Sequence, residues 1–150
     1  KKLHPNISIE RCDNNVAHVT LFGPRIDFET MISNIIDNAI EALPGKGWVR
    51  LTSYKIDESI ILKISDNGKG IHSEVLPLLM NEGVTFKANG NGLGLYHAKN
   101  TVEAMKGTIT IASELSKGTS VDLSLPIFSE KVIELSEVQQ LVIVDDDIQI

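Results

Sequence analysis

The apolar residues of this chain follow two periods, one typical of strands and one typical of helices. Alternation of apolar and polar residues predicts strands over 7–12, 16–22, 48–56, 59–66, 108–115 and 119–125. Apolar residues at helical spacing predict a long helix over 27–43 and a second from residue 93 or 94 to about residue 106. A short helix is expected near 72–80. Helices on one face of a mixed, mostly antiparallel sheet form a two-layer α/β sandwich of the α+β class.

The pattern changes after Pro126. Residues 127–140 are polar and rich in glutamate, which is typical of a linker. Residues 141–144 are then all apolar and lead into Asp145-Asp146-Asp147. Such a run is typical of a buried parallel strand that delivers carboxylates to its end, although a solvated charge cluster is the alternative. We therefore expect a domain over 1–126, a linker over 127–140 and the start of another domain over 141–150.

Composition indicates a globular domain and argues against contact with nucleic acid or a membrane. The 150 residues are 42% hydrophobic and 23% charged, as in ordinary globular domains. The net charge is −6 and no block of Lys and Arg occurs, so nucleic acid is not an expected partner. No apolar stretch is long enough to span a bilayer, so no direct membrane contact is expected. The single cysteine, Cys12, cannot form an internal disulfide, which favours a cytoplasmic location whether or not the parent protein is membrane-anchored.

The long helix carries two asparagines one turn apart, Asn34 and Asn38. They share one face of the helix, at the border of the apolar surface. Asparagine is a mediocre helix former, so a pair of them suggests a role. A side-chain amide oxygen is a suitable ligand for Mg²⁺ that keeps several waters and bridges phosphates. The alternative is a solvated polar face.

A carboxylate ends the predicted strand 59–66. Asp66 is followed by Asn67, Gly68, Lys69 and Gly70. An acid at a strand end can accept a hydrogen bond from an exocyclic amino group such as that of adenine, and nearby glycines let the backbone approach a flat ring. The alternative is a tight Asn-Gly hairpin turn, although no good strand follows Gly70.

A glycine-rich segment, Gly90-Asn-Gly92-Leu-Gly94-Leu95, leads directly into the second helix. Such a loop offers backbone amides and the positive end of the helix dipole to a phosphate. It lacks the Lys-Ser/Thr of a Walker A loop and the spacing and preceding strand of a dinucleotide fingerprint. A flexible linker is the alternative.

These motifs, in this order and with Gly118-Thr119 before the last strand, resemble the catalytic domains of histidine kinases. That family belongs to the Bergerat-fold superfamily, which also contains type II topoisomerases, mismatch-repair ATPases and a heat-shock chaperone. The resemblance covers about residues 5 to 126. It implies that ATP and Mg²⁺ are bound at residues Asn34, Asn38, Asp66, Gly68, Gly70, Ile71, Lys87, Gly92, Leu93, Gly94, Leu95 and Thr119.

The resemblance also implies a role for each motif. Asn38 would ligate Mg²⁺, and Asn34 would lie beside the triphosphate. Asp66 would read the adenine amino group with support from Thr119, often through water. The segment from Ile71 to Gly90 would form a lid over ATP, with Lys87 able to reach a phosphate. Gly92 and Gly94 would supply the hinge of this lid and backbone amides that bind phosphate.

Residue 34 favours the kinase branch of the superfamily. Hydrolytic relatives commonly carry a glutamate there as general base, which asparagine cannot replace at neutral pH. The motif continues with Glu41-Ala42-Leu43 where many family members have a basic residue and an aromatic one, which removes an expected phosphate contact. A hydrolytic ATPase module and a degenerate nucleotide-binding module therefore stay open as alternatives.

None of the four histidines has the helical context of a phosphoacceptor. The resemblance therefore implies that the catalytic histidine lies outside this chain, on a dimerisation domain expected upstream of Lys1. Residues 141–147 resemble the first strand of a receiver domain, in which Asp145 and Asp146 would match the acidic pair that holds Mg²⁺. The parent would then be a hybrid kinase with a receiver domain as a further partner.

Overall fold

A computed structural model of the chain describes residues 6–13, 16, 19–79 and 94–128. These residues form five strands, two α-helices and one 3₁₀ turn. The strands are β1 (Ile7–Asp13), β2 (Gly47–Ile56), β3 (Ser59–Asp66), β4 (Thr108–Glu114) and β5 (Gly118–Pro126). The helices are α1 (Arg25–Ala42) and α2 (Gly94–Ala104), and the 3₁₀ turn covers Leu76–Leu78.

The five strands form one sheet in the order β1-β2-β3-β5-β4. β1 pairs with β2 in parallel, and the other three pairings are antiparallel. The hairpin of β2 and β3 turns at Asp57, whose φ of 51° lies in the left-handed region. Both helices pack against the sheet and against each other. The predicted two-layer sandwich with a mixed, mostly antiparallel sheet is therefore confirmed.

The core lies between the sheet and the two helices. Val49, Leu123 and Leu125 on the strands and Ala98 and Val102 on α2 have no exposed surface. The buried residues of α1 recur at helical spacing and are Met31, Ile35 and Ala39. Burial of a large aliphatic side chain stabilises a fold by about 1.5–3 kcal/mol, so this layer holds the helices to the sheet.

Helix α1 ends where the sequence requires it to end. Leu43 already has the extended conformation, with ψ of 137°, because the following Pro44 disfavours the helical region for the residue before it. The last carbonyl groups of a helix have no partner inside the helix. Those at the end of α1 are therefore available to other segments.

The two faces of the sheet differ in character. Side chains of a strand alternate between faces, so Asp66 and its cross-strand partner Thr119 lie toward the helices, whereas Ser65 and its partner Ser120 lie on the opposite side. We call this second side the open face. Three further residues lie on it: Arg50, whose guanidinium is 4.7 Å from the ring centre of Trp48, and Lys63 and Asp122, which form an ion pair at 3.3 Å.

One of the predicted elements was wrong, and another is shorter than predicted. The predicted strand over 16–22 is not a strand of the sheet: among its described residues, only Leu21 makes an isolated bridge, to Ile127. The predicted helix near 72–80 is only the short 3₁₀ turn. Residues 129–140 of the predicted linker and the predicted receiver strand over 141–150 lie outside the described residues. In the described ranges, no helix is long and apolar enough to cross a membrane.

Candidate functional site

Asp66 is a buried carboxylate at the end of a central strand. Its side chain is 6% exposed. The backbone N–H of Gly68 donates to its Oδ1 at 2.8 Å, and the backbone N–H of Thr119 also donates to it. Burial raises the pKa of the Asp66 carboxyl, and the two hydrogen bonds only partly offset this. An ionised carboxylate only accepts hydrogen bonds, so this group is suited to bind an amino group.

The loop after Asp66 is attached to the end of α1 and the start of β2. Lys69 donates its backbone N–H to the carbonyl of Ala42 at 3.0 Å, which satisfies one of the unpaired carbonyls at the helix end. The side-chain Oδ1 of Asn67 accepts the backbone N–H of Trp48 at 2.7 Å. One side of the loop is therefore fixed by the helix that carries both asparagines.

The other side of the loop is attached to the β4–β5 hairpin. The backbone N–H of Ser116 donates to the carbonyl of Lys69 at 2.9 Å, and Ile71 donates its N–H to the Ser113 hydroxyl at 2.8 Å. Three different elements thus hold residues 66–71 in place before any ligand binds. Such preorganisation reduces the ordering cost of binding.

Both glycines of this loop are required by its geometry. A Cβ at residue 68 would lie 2.6 Å from the carbonyl oxygen of Ala42. Gly70 has a φ of +66°, and a Cβ there would overlap the carbonyl of Glu114. No strand follows Gly70 in the described sequence up to residue 79, so the alternative of a tight hairpin at Asn67-Gly68 is not what the chain forms.

Asn34 and Asn38 lie one turn apart on α1, and both are half-buried. The side-chain nitrogen of Asn38 lies 3.7 Å from the position that a Cβ of Gly94 would occupy. Ala42, one turn further along, holds the loop of Asp66. The second half of α1 therefore contacts both the loop after β3 and the first residue of α2.

The third motif is described only in part. Gly94 and Leu95 are the first two described residues of α2, a helix that the sequence predicts from residue 93 or 94. Lys87, Gly92 and Leu93 lie outside the described residues, as do Asp145 and Asp146. Within the described part of the chain, no three His, Cys, Asp or Glu residues are grouped so that they could hold a metal ion.

Sequence reasoning missed two residues that shape this site, Asn67 and Ser113. Ser113 continues the inward-facing alternation of Ile109 and Ile111 on β4, so a polar residue at an inward position was the available signal. The sequence indicates Asn67 only as part of a turn. Its contact with Trp48 depends on the register of β2 against β3, in which Val49 pairs with Asp66.

The chain is similar to known ATPase domains. A family model described as histidine kinase-, DNA gyrase B- and HSP90-like ATPase matches residues 23–129, which is more than half of the chain. Sporulation kinase D of Bacillus subtilis (strain 168) is 37% identical over 97 residues, covering 65% of this chain and 19% of the relative. Sensor histidine kinase ZraS of Escherichia coli (strain K12) is 35% identical over 97 residues, covering 65% and 21%. The chain thus spans about a fifth of the length of these curated relatives.

Solved structures agree with this match. The mycobacterial sensor histidine kinase MprB superposes with a TM-score of 0.71 at 25% identity, covering 83% of this chain and 84% of that one. The catalytic domain of histidine kinase ThkA has the same fold, with a TM-score of 0.72 at 23% identity over 81% of this chain and 79% of that one. This chain therefore belongs to the family of histidine kinase-, DNA gyrase B- and HSP90-like ATPases, and is homologous to the catalytic domains of sensor histidine kinases.

Proposed function

We propose that this chain is the ATP-binding catalytic domain of a sensor histidine kinase. It would bind Mg-ATP and present the γ-phosphate to a histidine on a separate dimerisation and phosphoacceptor domain. One observation carries the proposal: the buried Asp66, its fixed loop and the Asn38 amide all adjoin the second half of α1. The similarity to sporulation kinase D and to sensor histidine kinase ZraS supports the kinase assignment.

The residues at the site fit ATP and magnesium. Asp66 supplies a hydrogen-bond acceptor for the amino group of adenine, beside glycines that allow close approach of a flat ring. Asn38 supplies a neutral amide, which suits Mg²⁺ whose remaining ligands are phosphate oxygens and water. When bound, Mg²⁺ would neutralise phosphate charge. Backbone amides near Gly94 and Leu95, the first described residues of α2, would bind phosphate if the helix begins here as the sequence predicts.

Residue 34 favours phosphoryl transfer over hydrolysis. Asn34 lies one turn before Asn38 and has no basic oxygen with which to deprotonate water at neutral pH. Phosphoryl transfer depends mainly on positioning and on stabilisation of charge. A site that holds ATP without activating water leaves the phosphoryl group available to the histidine.

We further propose the division of the chain that its sequence suggests. Residues 1–126 would be the catalytic domain, 127–140 a linker, and 141–150 the first strand of a receiver domain with Asp145 and Asp146 as its acidic pair. The parent protein would then contain the phosphoacceptor domain, this domain and a receiver.

Phosphotransfer assays test the proposal directly. The full chain is mixed with a dimerisation and phosphoacceptor domain supplied in trans and with ATP labelled at the γ-phosphate. We expect label on a histidine of the acceptor domain and almost no free phosphate from the chain alone. Steady ATP turnover by the chain alone would instead support the hydrolytic module, and absence of ATP binding would support the degenerate one.

A further inference from the structure

The hydroxyl of Ser113 makes three hydrogen bonds at the edge of the site. It accepts the backbone N–H of Ile71 at 2.8 Å and donates to the carbonyl of Gly118 at 2.9 Å. Its third partner is the hydroxyl of Thr119, also at 2.9 Å. Ser113 lies on β4, so it connects the loop after β3 with the first residues of β5.

The number of hydrogens fixes the direction of the third bond. A serine hydroxyl carries one hydrogen and two lone pairs. The hydrogen goes to Gly118, and one lone pair accepts from Ile71. Thr119 must therefore donate its hydroxyl hydrogen to Ser113, which leaves the Thr119 oxygen able only to accept.

This bond completes a continuous chain of contacts around the loop. The backbone N–H of Thr119 donates to Asp66, its hydroxyl donates to Ser113, and Ser113 accepts from Ile71. Asp66 and Ile71 are the first and last residues of the loop. Ser113 thus fixes the far end of the loop relative to the carboxylate at its near end.

We propose that Ser113 is a positioning residue that sets base selectivity at this site. By taking the hydrogen of Thr119, Ser113 leaves the Thr119 oxygen as a hydrogen-bond acceptor, and its cross-strand partner Asp66 carries a carboxylate that also only accepts when ionised. Such a pair favours a purine with an amino group at position 6 over one with a carbonyl there, because a carbonyl would face acceptors without a hydrogen. This inference rests on the proposed binding of a nucleotide.

Ser65 provides a matched control. Its hydroxyl pairs with that of Ser120 at 3.2 Å across β3 and β5, one residue from Asp66 and Thr119 but on the open face. Ser65→Ala therefore removes a similar hydroxyl pair from the same place in the sheet without touching the loop. Ser113→Thr keeps the hydroxyl at position 113.

The experiment measures binding of ATP and of inosine triphosphate to the full chain by calorimetry, with magnesium present and under conditions without turnover. Inosine carries a carbonyl at the position of the adenine amino group. We expect Ser113→Ala to reduce the preference for ATP by roughly 3- to 10-fold, the range of one hydrogen bond. Ser113→Thr and Ser65→Ala should keep the preference of the unmodified chain. Thr119→Val removes the same bond from its other side and should act like Ser113→Ala.

Each outcome decides the matter. If Ser113→Ala keeps the full preference, or weakens both nucleotides by the same factor, Ser113 has no role in selectivity and the inference is wrong. The same holds if Ser65→Ala has an equal effect. If the unmodified chain binds neither nucleotide, the proposed function itself fails, and that result is distinct from a failure at Ser113.

Discussion

Two adjacent residue pairs across β3 and β5 show how one strand pairing produces two different environments. Asp66 and Thr119 lie opposite each other on the helix side, where the carboxylate is 6% exposed and its pKa is raised. Ser65 and Ser120 are the next pair, on the open face, where their hydroxyls bond to each other and Ser120 also donates to Asp122. A shift of one residue along the strand moves a side chain from a buried site to a half-buried polar surface.

The difference shows that this fold accepts an unfavourable burial of a carboxylate on the helix side of the sheet. Burial of Asp66 costs solvation, which its backbone hydrogen bonds only partly offset. Asp122, in contrast, forms an ion pair with Lys63, and both side chains are about a third or more exposed. Exposed pairs of that kind contribute about 0–1 kcal/mol. The carboxylate on the helix side is thus kept at a solvation cost, which is typical of functional groups.

The largest effect is expected from the core, which lies on the helix side of the sheet. Leu123→Ala should destabilise the domain by about 2–5 kcal/mol, because Leu123 is fully buried between the sheet and the helices. Its neighbour Ser124 lies on the open face, and Ser124→Ala should change stability by less than about 0.5 kcal/mol. Denaturant unfolding of both variants measures this contrast, and equal losses would contradict the assignment of faces.

A smaller effect is expected from the titration of Asp66. Because its pKa is raised in the folded state, the folded protein binds more protons than the unfolded one in a pH window that begins near the ordinary aspartate pKa of 3.8 and extends upward. Stability relative to Asp66→Asn should therefore fall as pH rises through this window. Unfolding of both proteins at a series of pH values, without nucleotide, gives this difference.

The control for this titration is Ser65→Ala. Its difference from the unmodified chain should not vary with pH in the same way, because a serine side chain does not titrate in this range. If the stability of the unmodified chain relative to Asp66→Asn stays constant or rises with pH through this window, Asp66 is not destabilised by burial.

Much of the fold could be predicted from the sequence because its elements have strong periodic patterns. The predicted helix over 27–43 and the predicted strands of both hairpins agree with the structure to within a few residues. The strand predicted over 16–22 was wrong because alternation alone does not show whether a partner strand is within reach. Among the described residues of this segment, Leu21 alone makes a bridge, to Ile127. The parallel pairing of β1 with β2 also has no local signal, since it joins residues about 40 apart.

The candidate site was predicted in part for the same reason. Asp66, Gly68 and Asn38 belong to short motifs whose chemistry can be inferred from neighbouring residues. Ser113 acts on residues 42 positions away through a contact that exists only after the hairpin has folded against the loop. Long-range contacts of this kind follow from tertiary structure, and no single-sequence pattern contains them.

We propose that Asn38 ligates the metal and that Asp66 binds the base at one nucleotide site. Calorimetry of a non-hydrolysable ATP analogue, with and without magnesium, tests it on the unmodified chain, Asn38→Ala and Asp66→Ala. We expect the unmodified chain to bind the analogue in a magnesium-dependent way. Binding should no longer depend on magnesium in Asn38→Ala, and it should lose its selectivity for adenine in Asp66→Ala. Binding that is unchanged in both variants would contradict it.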